Sequence, residues 1–198
     1  MKYFVPTSNK NYSFSSCDSC EAKCCNGSYG TLFSQIILED FTNFENFPIL
    51  FTFGNLDFAK PVIMLTNGTD FCRYLKDMKC SIYDKRPQVC KNYPLSPNLD
   101  EEVYIDLSCP SVKETEEKSD FIKINKQNDY FKNYKDLYLN TYFEFEKYKK
   151  KDFQKLFTLR DIDFYGYLKD DENQFIKMHQ KSLVHLKDDY FKKVLWVF

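Results

Sequence analysis

Apolar and polar positions alternate over short stretches in the first half of the chain. Gly54-Asn55 and Asn67-Gly68 are turn signals, and they flank apolar runs that predict strands at 49–53 and 61–66. Apolar side chains occupy every second position within 102–107, which predicts a half-buried strand. This half is therefore expected to fold into short strands with short helices between them.

The second half has the period of amphipathic helices. Aromatic and other apolar side chains recur at steps of mostly three or four residues in two stretches: Tyr130, Tyr134, Tyr138, Tyr142, Phe145 and Tyr148, and then Phe175, His179, Leu183, Leu186, Tyr190 and Val194. This spacing predicts helices that pack an aromatic face on the first half. His179 lies on that face, where a histidine is more often a hydrogen-bonded core residue than a metal ligand.

A charged stretch that is poor in apolar residues separates the two halves. It covers residues 113–120, and all eight cysteines lie before it, between Cys17 and Cys109. We therefore predict a cysteine-bearing metal-binding domain at residues 1–112 and a helical C-terminal extension at residues 113–198 that packs on it. The predicted fold class is α+β, with a small sheet and short helices around the cysteines.

The composition is that of an ordinary globular protein, with 43% hydrophobic and 29% charged residues. The net charge of -1 provides no reason to expect nucleic acid as a partner. The first residues lack the apolar core of a signal peptide, and the longest apolar runs are too short for a membrane span. These features predict a cytoplasmic protein. In that reducing compartment, cysteines are metal ligands or catalytic groups more often than disulfides.

The first cysteine group is Cys17-Asp-Ser-Cys20-Glu-Ala-Lys-Cys24-Cys25. Helix-forming residues within it predict a helix, and at about 100° per residue Cys17, Cys20 and Cys24 would share one face. Cys25 would point about 100° away from Cys24, so two adjacent cysteines would be poorly placed to bind one ion. The expectation is two sites, or one site with Cys25 in a supporting or bridging role.

The second cysteine group contains Cys72, Cys80, Cys90 and Cys109. Asp84 and Pro87 are typical of a helix start, which predicts a helix that carries Cys90 and ends at Pro94. Arg86 would then lie on the same face as Cys90 and, with the helix start, favour the thiolate that binds metal.

These motifs carry a family resemblance. The pattern C-x2-C-x3-CC, followed by C-x-I-Y-x-x-R-P-x-x-C-K-x-Y-P and a later Cys-Pro, resembles the YkgJ-type cysteine-cluster family over about residues 17–110. That family is described as a zinc- or iron-chelating domain and includes relatives of flagellin lysine N-methylase. The resemblance finds a counterpart for every cysteine, so the expected metal ligands are Cys17, Cys20, Cys24, Cys25, Cys72, Cys80, Cys90 and Cys109. Arg86 and Tyr83 are expected to lie directly behind the ligands, and Tyr83 and Tyr93 to form an aromatic wall.

The spacing of the cysteines bears on the choice of metal. Structural zinc sites usually show paired C-x2-C knuckles, whereas only Cys17 and Cys20 have that spacing. Iron–sulfur clusters accept irregular spacings and thiols from separate segments. We therefore predict an iron–sulfur centre of the [4Fe–4S] type, with Zn²⁺ as the alternative.

Three functions are compatible with these residues. In the first, the metal centre has a redox or structural role. In the second, the chain is a protein lysine N-methylase, which rests on the family resemblance alone. In the third, zinc holds together a surface that binds a protein partner. The sequence contains no G-x-G-x-x-G motif and no P-loop that would indicate a nucleotide-binding fold. The choice between an enzyme and a binding module stays open.

Overall fold

A computed structural model describes residues 2–8, 10–14, 20–44, 47–54, 58–97, 102–116, 129–188 and 191, with only the backbone described at 129–132. The strands in these residues are β1 (Phe4–Pro6), β2 (Asn11–Phe14), β3 (Phe33–Gln35), β4 (Ile49–Phe53), β5 (Ala59–Met64), β6 (Leu75–Lys76), β7 (Lys79–Cys80), β8 (Leu95–Pro97), β9 (Val103–Asp106), β10 (Val112–Thr115), β11 (Gln154–Leu159) and β12 (Ile162–Gly166). The helices are α1 (Gln88–Asn92), α2 (Asp129–Phe145) and α3 (Gln174–Ser182), and short 3-10 turns lie between the elements.

The largest sheet has five antiparallel strands in the order β11-β12-β4-β5-β3. Its central strands β4 and β5 are buried along most of their length, as expected for strands whose two faces are both covered. They lie at or within two residues of the predicted ranges 49–53 and 61–66, so these two predictions are confirmed.

Three smaller antiparallel sheets accompany it: β1-β9-β8, β10-β2 and β6-β7. Strand β9 confirms the half-buried strand predicted at 102–107. Strand β10 comes from the charged stretch at 113–120 and pairs with β2 near the start of the chain. Residues 117–120 of that stretch lie outside the described residues.

Aromatic rings fill the core between the large sheet and the C-terminal helices. The ring of Phe51 on β4 lies 5.2 Å from that of Phe145, 5.0 Å from that of Phe153 and 5.0 Å from the imidazole of His179. Such edge-to-face contacts stabilise a core beyond simple burial. No helix within the described parts of the chain is long and apolar enough to cross a membrane.

His179 is a hydrogen-bonded core residue, as predicted. Its Nδ1 donates to the carbonyl of Ile49 at 2.6 Å, and its Nε2 accepts from the backbone N–H of Tyr167 at 2.9 Å. Both ring nitrogens of this fully buried side chain are therefore satisfied by backbone groups. These two hydrogen bonds attach α3 to the large sheet.

The α+β class is confirmed, but the C-terminal part contains more than helices. Strands β11 and β12 form a hairpin that joins the large sheet next to β4. Its turn consists of Arg160 and Asp161, both in the left-handed region with φ of 51° and 63°. Neither is the glycine or asparagine that usually marks such a turn, so the sequence carried no hairpin signal here. The division of the chain at residue 112 stays a prediction.

Candidate metal centre

Six of the eight predicted metal ligands line one cavity of about 660 Å³. They are Cys20, Cys24, Cys25, Cys72, Cys80 and Cys90. Cys109 is buried in the turn after β9. Cys17 lies outside the described residues. The seven described cysteines form no disulfide with one another.

The described part of the first cysteine segment, residues 20–25, is not the predicted helix. Ala22 adopts a left-handed conformation with φ of 50°, and two short 3-10 turns follow at Lys23–Cys25 and Gly27–Tyr29. The helical geometry that separated Cys24 from Cys25 is therefore wrong. Their sulfurs lie 3.8 Å apart. Two thiolates on one tetrahedral ion, with metal–sulfur bonds of about 2.3 Å, have about this separation, so the two adjacent cysteines can share an ion.

Backbone pairing attaches this segment to Cys72. The N–H of Cys72 donates to the carbonyl of Cys25 at 2.6 Å, and the N–H of Gly27 donates to the carbonyl of Asp70 at 2.8 Å. A Cβ at position 27 would lie 2.5 Å from Thr66 Oγ1 and 2.8 Å from the Asp70 carbonyl oxygen. Only glycine permits this close approach. The pairing explains why the segment does not continue as a helix.

The second cysteine group also differs from its predicted geometry. Helix α1 begins after Pro87 rather than at Asp84, so Arg86 precedes the helix and does not share a helical face with Cys90. The guanidinium of Arg86 instead stacks 3.5 Å from the centroid of the Tyr83 ring, and its Nε donates to the Tyr83 carbonyl at 2.6 Å. Arg86 and Tyr83 both line the cavity. Their role behind the metal ligands stays a prediction.

Tyr93 forms another part of the cavity wall. Its hydroxyl donates to the buried carboxylate of Asp106 at 3.1 Å, and the Lys2 ammonium lies 5.1 Å from the centroid of its ring. Asp106 also accepts from the N–H groups of Tyr3 and Ser108, at 2.9 Å and 3.0 Å. These bonds fix the Tyr93 ring and attach the N-terminal residues to the cavity.

The donor chemistry fits zinc or iron, because thiolates are preferred ligands of both. Among the described residues, however, no three cysteine, histidine, aspartate or glutamate side chains converge closely enough to hold one ion.

A family model matches residues 16–130, a range that contains every cysteine and more than half of the chain. Its description is CxxCxxCC, "Putative zinc- or iron-chelating domain". The chain belongs to this family. No curated protein and no solved structure matches the chain.

Burial favours the uncharged form of several thiols in this member of the zinc- or iron-chelating family. It raises the pKa of Cys72 to about 12 and that of Cys90 to about 11. The contact with Cys25 and burial raise the pKa of Cys24 as well. Arg86 favours the Cys90 thiolate, as expected, but burial outweighs this effect and leaves the pKa of Cys90 raised. Metal binds the thiolate, so loading must release protons.

The sequence reasoning missed two polar neighbours of the thiols. Ser34 on β3 places its Oγ 3.4 Å from the Cys90 sulfur, and its hydroxyl favours the thiolate of Cys90. Lys2 lines the cavity, and its charge acts in the same direction on Cys24 and Cys90. Both residues lie far from the cysteine motifs in sequence, and no local pattern marks them. Only the tertiary fold brings Lys2 and Ser34 to the thiols of this chelating domain.

Proposed function

We propose that the cysteines around the cavity hold an iron–sulfur centre with a redox or structural role. The observation that carries the proposal is the arrangement of six thiols from separate segments around one cavity of about 660 Å³. Within the described part of the chain these thiols do not converge on a single ion. Membership of the zinc- or iron-chelating family makes metal the natural occupant.

The proposed ligands are Cys17, Cys20, Cys24, Cys80, Cys90 and Cys109, with Cys25 and Cys72 as further ligands or supports. An iron–sulfur centre supplies one-electron transfer when bound. The chain's own groups surround it with positive charge from Lys2 and Arg86, which offsets the negative charge of thiolate ligands. Tyr83 and Tyr93 line the same cavity and form part of its aromatic wall.

The test is an absorption spectrum of protein purified without oxygen, together with analysis of iron, zinc and acid-labile sulfide. The proposal predicts a brown protein with broad absorption near ~400 nm and matched amounts of iron and sulfide. Bleaching by dithionite, reversed on reoxidation, supports the redox role over the structural one. A colourless protein with stoichiometric zinc refutes the iron–sulfur centre.

The second candidate is a zinc-stabilised interaction module, and the distance between Cys24 and Cys25 favours it. Their sulfurs are separated by 3.8 Å, the spacing of two thiolates on one tetrahedral ion. This candidate predicts a redox-inert metal and loss of the fold when a chelator removes it. The lysine N-methylase alternative stays a prediction, which a binding measurement with S-adenosylmethionine tests.

A further inference from the structure

The charges that line the cavity are all of one sign. Lys2, Lys79 and Arg86 line it, and no aspartate or glutamate is among its described lining residues. This is unusual for a chain whose net charge is -1. A wall whose formal charges are all positive favours anionic groups in the cavity, whether thiolate or carboxylate.

The cavity is also larger than a metal site requires. At about 660 Å³ it lies within the range of roughly 300–1,000 Å³ that small-molecule sites occupy. Metal–sulfur bonds of about 2.3 Å keep a four-thiolate centre compact, so it fills only part of this space. The remaining wall is mainly apolar and includes Phe33, Leu75, Ile82, Val89 and Leu95.

The mouth of the cavity is open to solvent. Phe4, Met78 and Tyr83 line it while 39%, 49% and 50% of their surfaces stay exposed. Arg86 uses its Nε on the Tyr83 carbonyl. Its two terminal nitrogens stay available for the paired hydrogen bonds that a carboxylate accepts. A concave apolar surface with a few convergent cations suits a ligand with an apolar body and one anionic group.

We propose that this cavity binds a small organic monocarboxylate with an apolar body beside the metal centre. The proposal rests on the proposed function in one respect, because the metal must bind the thiolates and offset their negative charge. The carboxylate contacts Arg86, with Lys79 and Lys2 nearby, and the apolar body contacts the wall. The ligand class is thus an organic anion with one carboxylate, which the two terminal nitrogens of Arg86 can bind.

The experiment is a fluorine NMR titration of the metal-loaded full chain with para-fluorobenzoate and with its uncharged analogue para-fluorobenzamide. We expect the carboxylate to bind about tenfold more tightly than the amide, because a charge-assisted contact contributes about 1.4 kcal/mol. Equal affinities would overturn the proposal. So would tighter binding of a polyglutamate peptide than of para-fluorobenzoate, since that result assigns the cations to an acidic protein partner.

Two lysines provide a matched pair of variants. Lys76 and Lys79 are register partners on β6 and β7, but only Lys79 is among the residues that line the cavity. Lys79→Gln should reduce the preference for the carboxylate severalfold, and Lys76→Gln should leave it unchanged. Arg86→Gln should abolish the preference. Equal effects of the two lysine variants, or an unchanged preference in Arg86→Gln, would contradict the proposal.

Failure of this proposal is distinguishable from failure of the proposed function. Metal and sulfide analysis of the same samples reports on the iron–sulfur centre, whereas the NMR titration reports on the carboxylate alone. Protein that contains iron and sulfide but does not discriminate between the two probes retains the proposed function and refutes the ligand site.

Discussion

At the scale of single residues, two buried ionisable side chains have opposite effects on stability in the same pH range. Burial lowers the pKa of His179 to about 4, below its ordinary value of about 6.5. Burial raises the pKa of Asp40 to about 6, although its carboxylate accepts from the N–H groups of Ile37 and Gln88. Each shift corresponds to about 3 kcal/mol.

The sign of each contribution to stability depends on whether the folded or the unfolded state binds the proton. Between pH 6.5 and 4 the unfolded chain protonates His179 and the folded chain does not, so the free energy of unfolding falls as the pH falls. Between about pH 4 and 6 the folded chain protonates Asp40 and the unfolded chain does not, so the free energy of unfolding falls as the pH rises. The two contributions offset each other.

Replacing one of these two side chains should therefore reveal the effect of the other on the pH dependence of stability. Relative to the unmodified protein, Asp40→Asn should lose about 3 kcal/mol of stability as the pH falls from 6.5 to 4. His179→Gln should lose a similar amount as the pH rises from 4 to 6. Urea unfolding at a series of pH values measures both. His185→Gln, which removes a histidine without breaking the bonds to Ile49 and Tyr167, is the control. Parallel profiles for all variants would contradict the opposing shifts.

Gly27 and Gly54 offer a second comparison at this scale. A Cβ at position 27 would collide with Thr66 and with the backbone of Asp70, whereas a Cβ at position 54 would meet nothing within 4 Å. Gly27→Ala should lower the free energy of unfolding by about 2 kcal/mol or more, and Gly54→Ala should change it by less than about 1 kcal/mol. Urea unfolding measures both. Equal effects would show that the backbone of the first cysteine segment does not approach Asp70 closely.

At the scale of elements, the hairpin β11–β12 holds the two cysteine segments together. At its turn, Arg160 donates one guanidinium N–H to the carbonyl of Gly27 at 2.7 Å and another to the carbonyl of Gly68. Gly27 follows Cys25 closely, and Gly68 precedes Cys72. An element outside the matched range 16–130 thus positions two predicted ligands of the metal centre.

Replacing Arg160 tests this positioning role. Arg160→Ala should lower the free energy of unfolding by about 2 kcal/mol, because two carbonyls lose a charged donor. It should also speed the loss of metal to a chelator and alter the absorption spectrum of the centre. Asp161→Gly is the control, since glycine accepts the positive φ at that position and should retain or slightly increase stability. An unchanged metal spectrum in Arg160→Ala would make Arg160 a purely structural residue.

The elements also show how far the sequence predicts this fold. Strands β4 and β5 were predictable because apolar runs lie between glycine and asparagine turn signals. The helix proposed through Cys20 and Cys24 was wrong, because backbone pairing between Asn26 and Phe71 overrides the helix propensity of Glu21 and Ala22. A shared cysteine site was predictable from residue type. The positions of Lys2, Ser34 and Arg160 were not, since they depend on contacts between segments distant in sequence.

At the scale of the whole molecule, the matched family range does not contain a complete core. Strand β12 pairs with β4, and the rings of Phe145, Phe153 and His179 pack on Phe51. A fragment that ends at residue 130 lacks all of these partners. We expect this fragment to lack a cooperative thermal transition and the near-ultraviolet circular dichroism of fixed aromatic packing.

Adding back the missing part provides the control for this prediction. Co-expression of residues 131–198 as a separate chain should restore a cooperative transition if the two parts pack through the large sheet. A fragment 1–130 that unfolds cooperatively and retains the metal content of the full chain would show that residues 1–130 form an independent domain.

The position of Arg160 along the chain has a consequence for synthesis in the cell. About fifty residues separate it from Cys109, so a ribosome that adds roughly 5–20 residues per second delivers the last cysteine several seconds before the hairpin turn. During that interval the nascent chain presents its thiols without the contacts that hold their backbone in place. Stable retention of metal is therefore expected to follow synthesis of the hairpin rather than synthesis of the last cysteine.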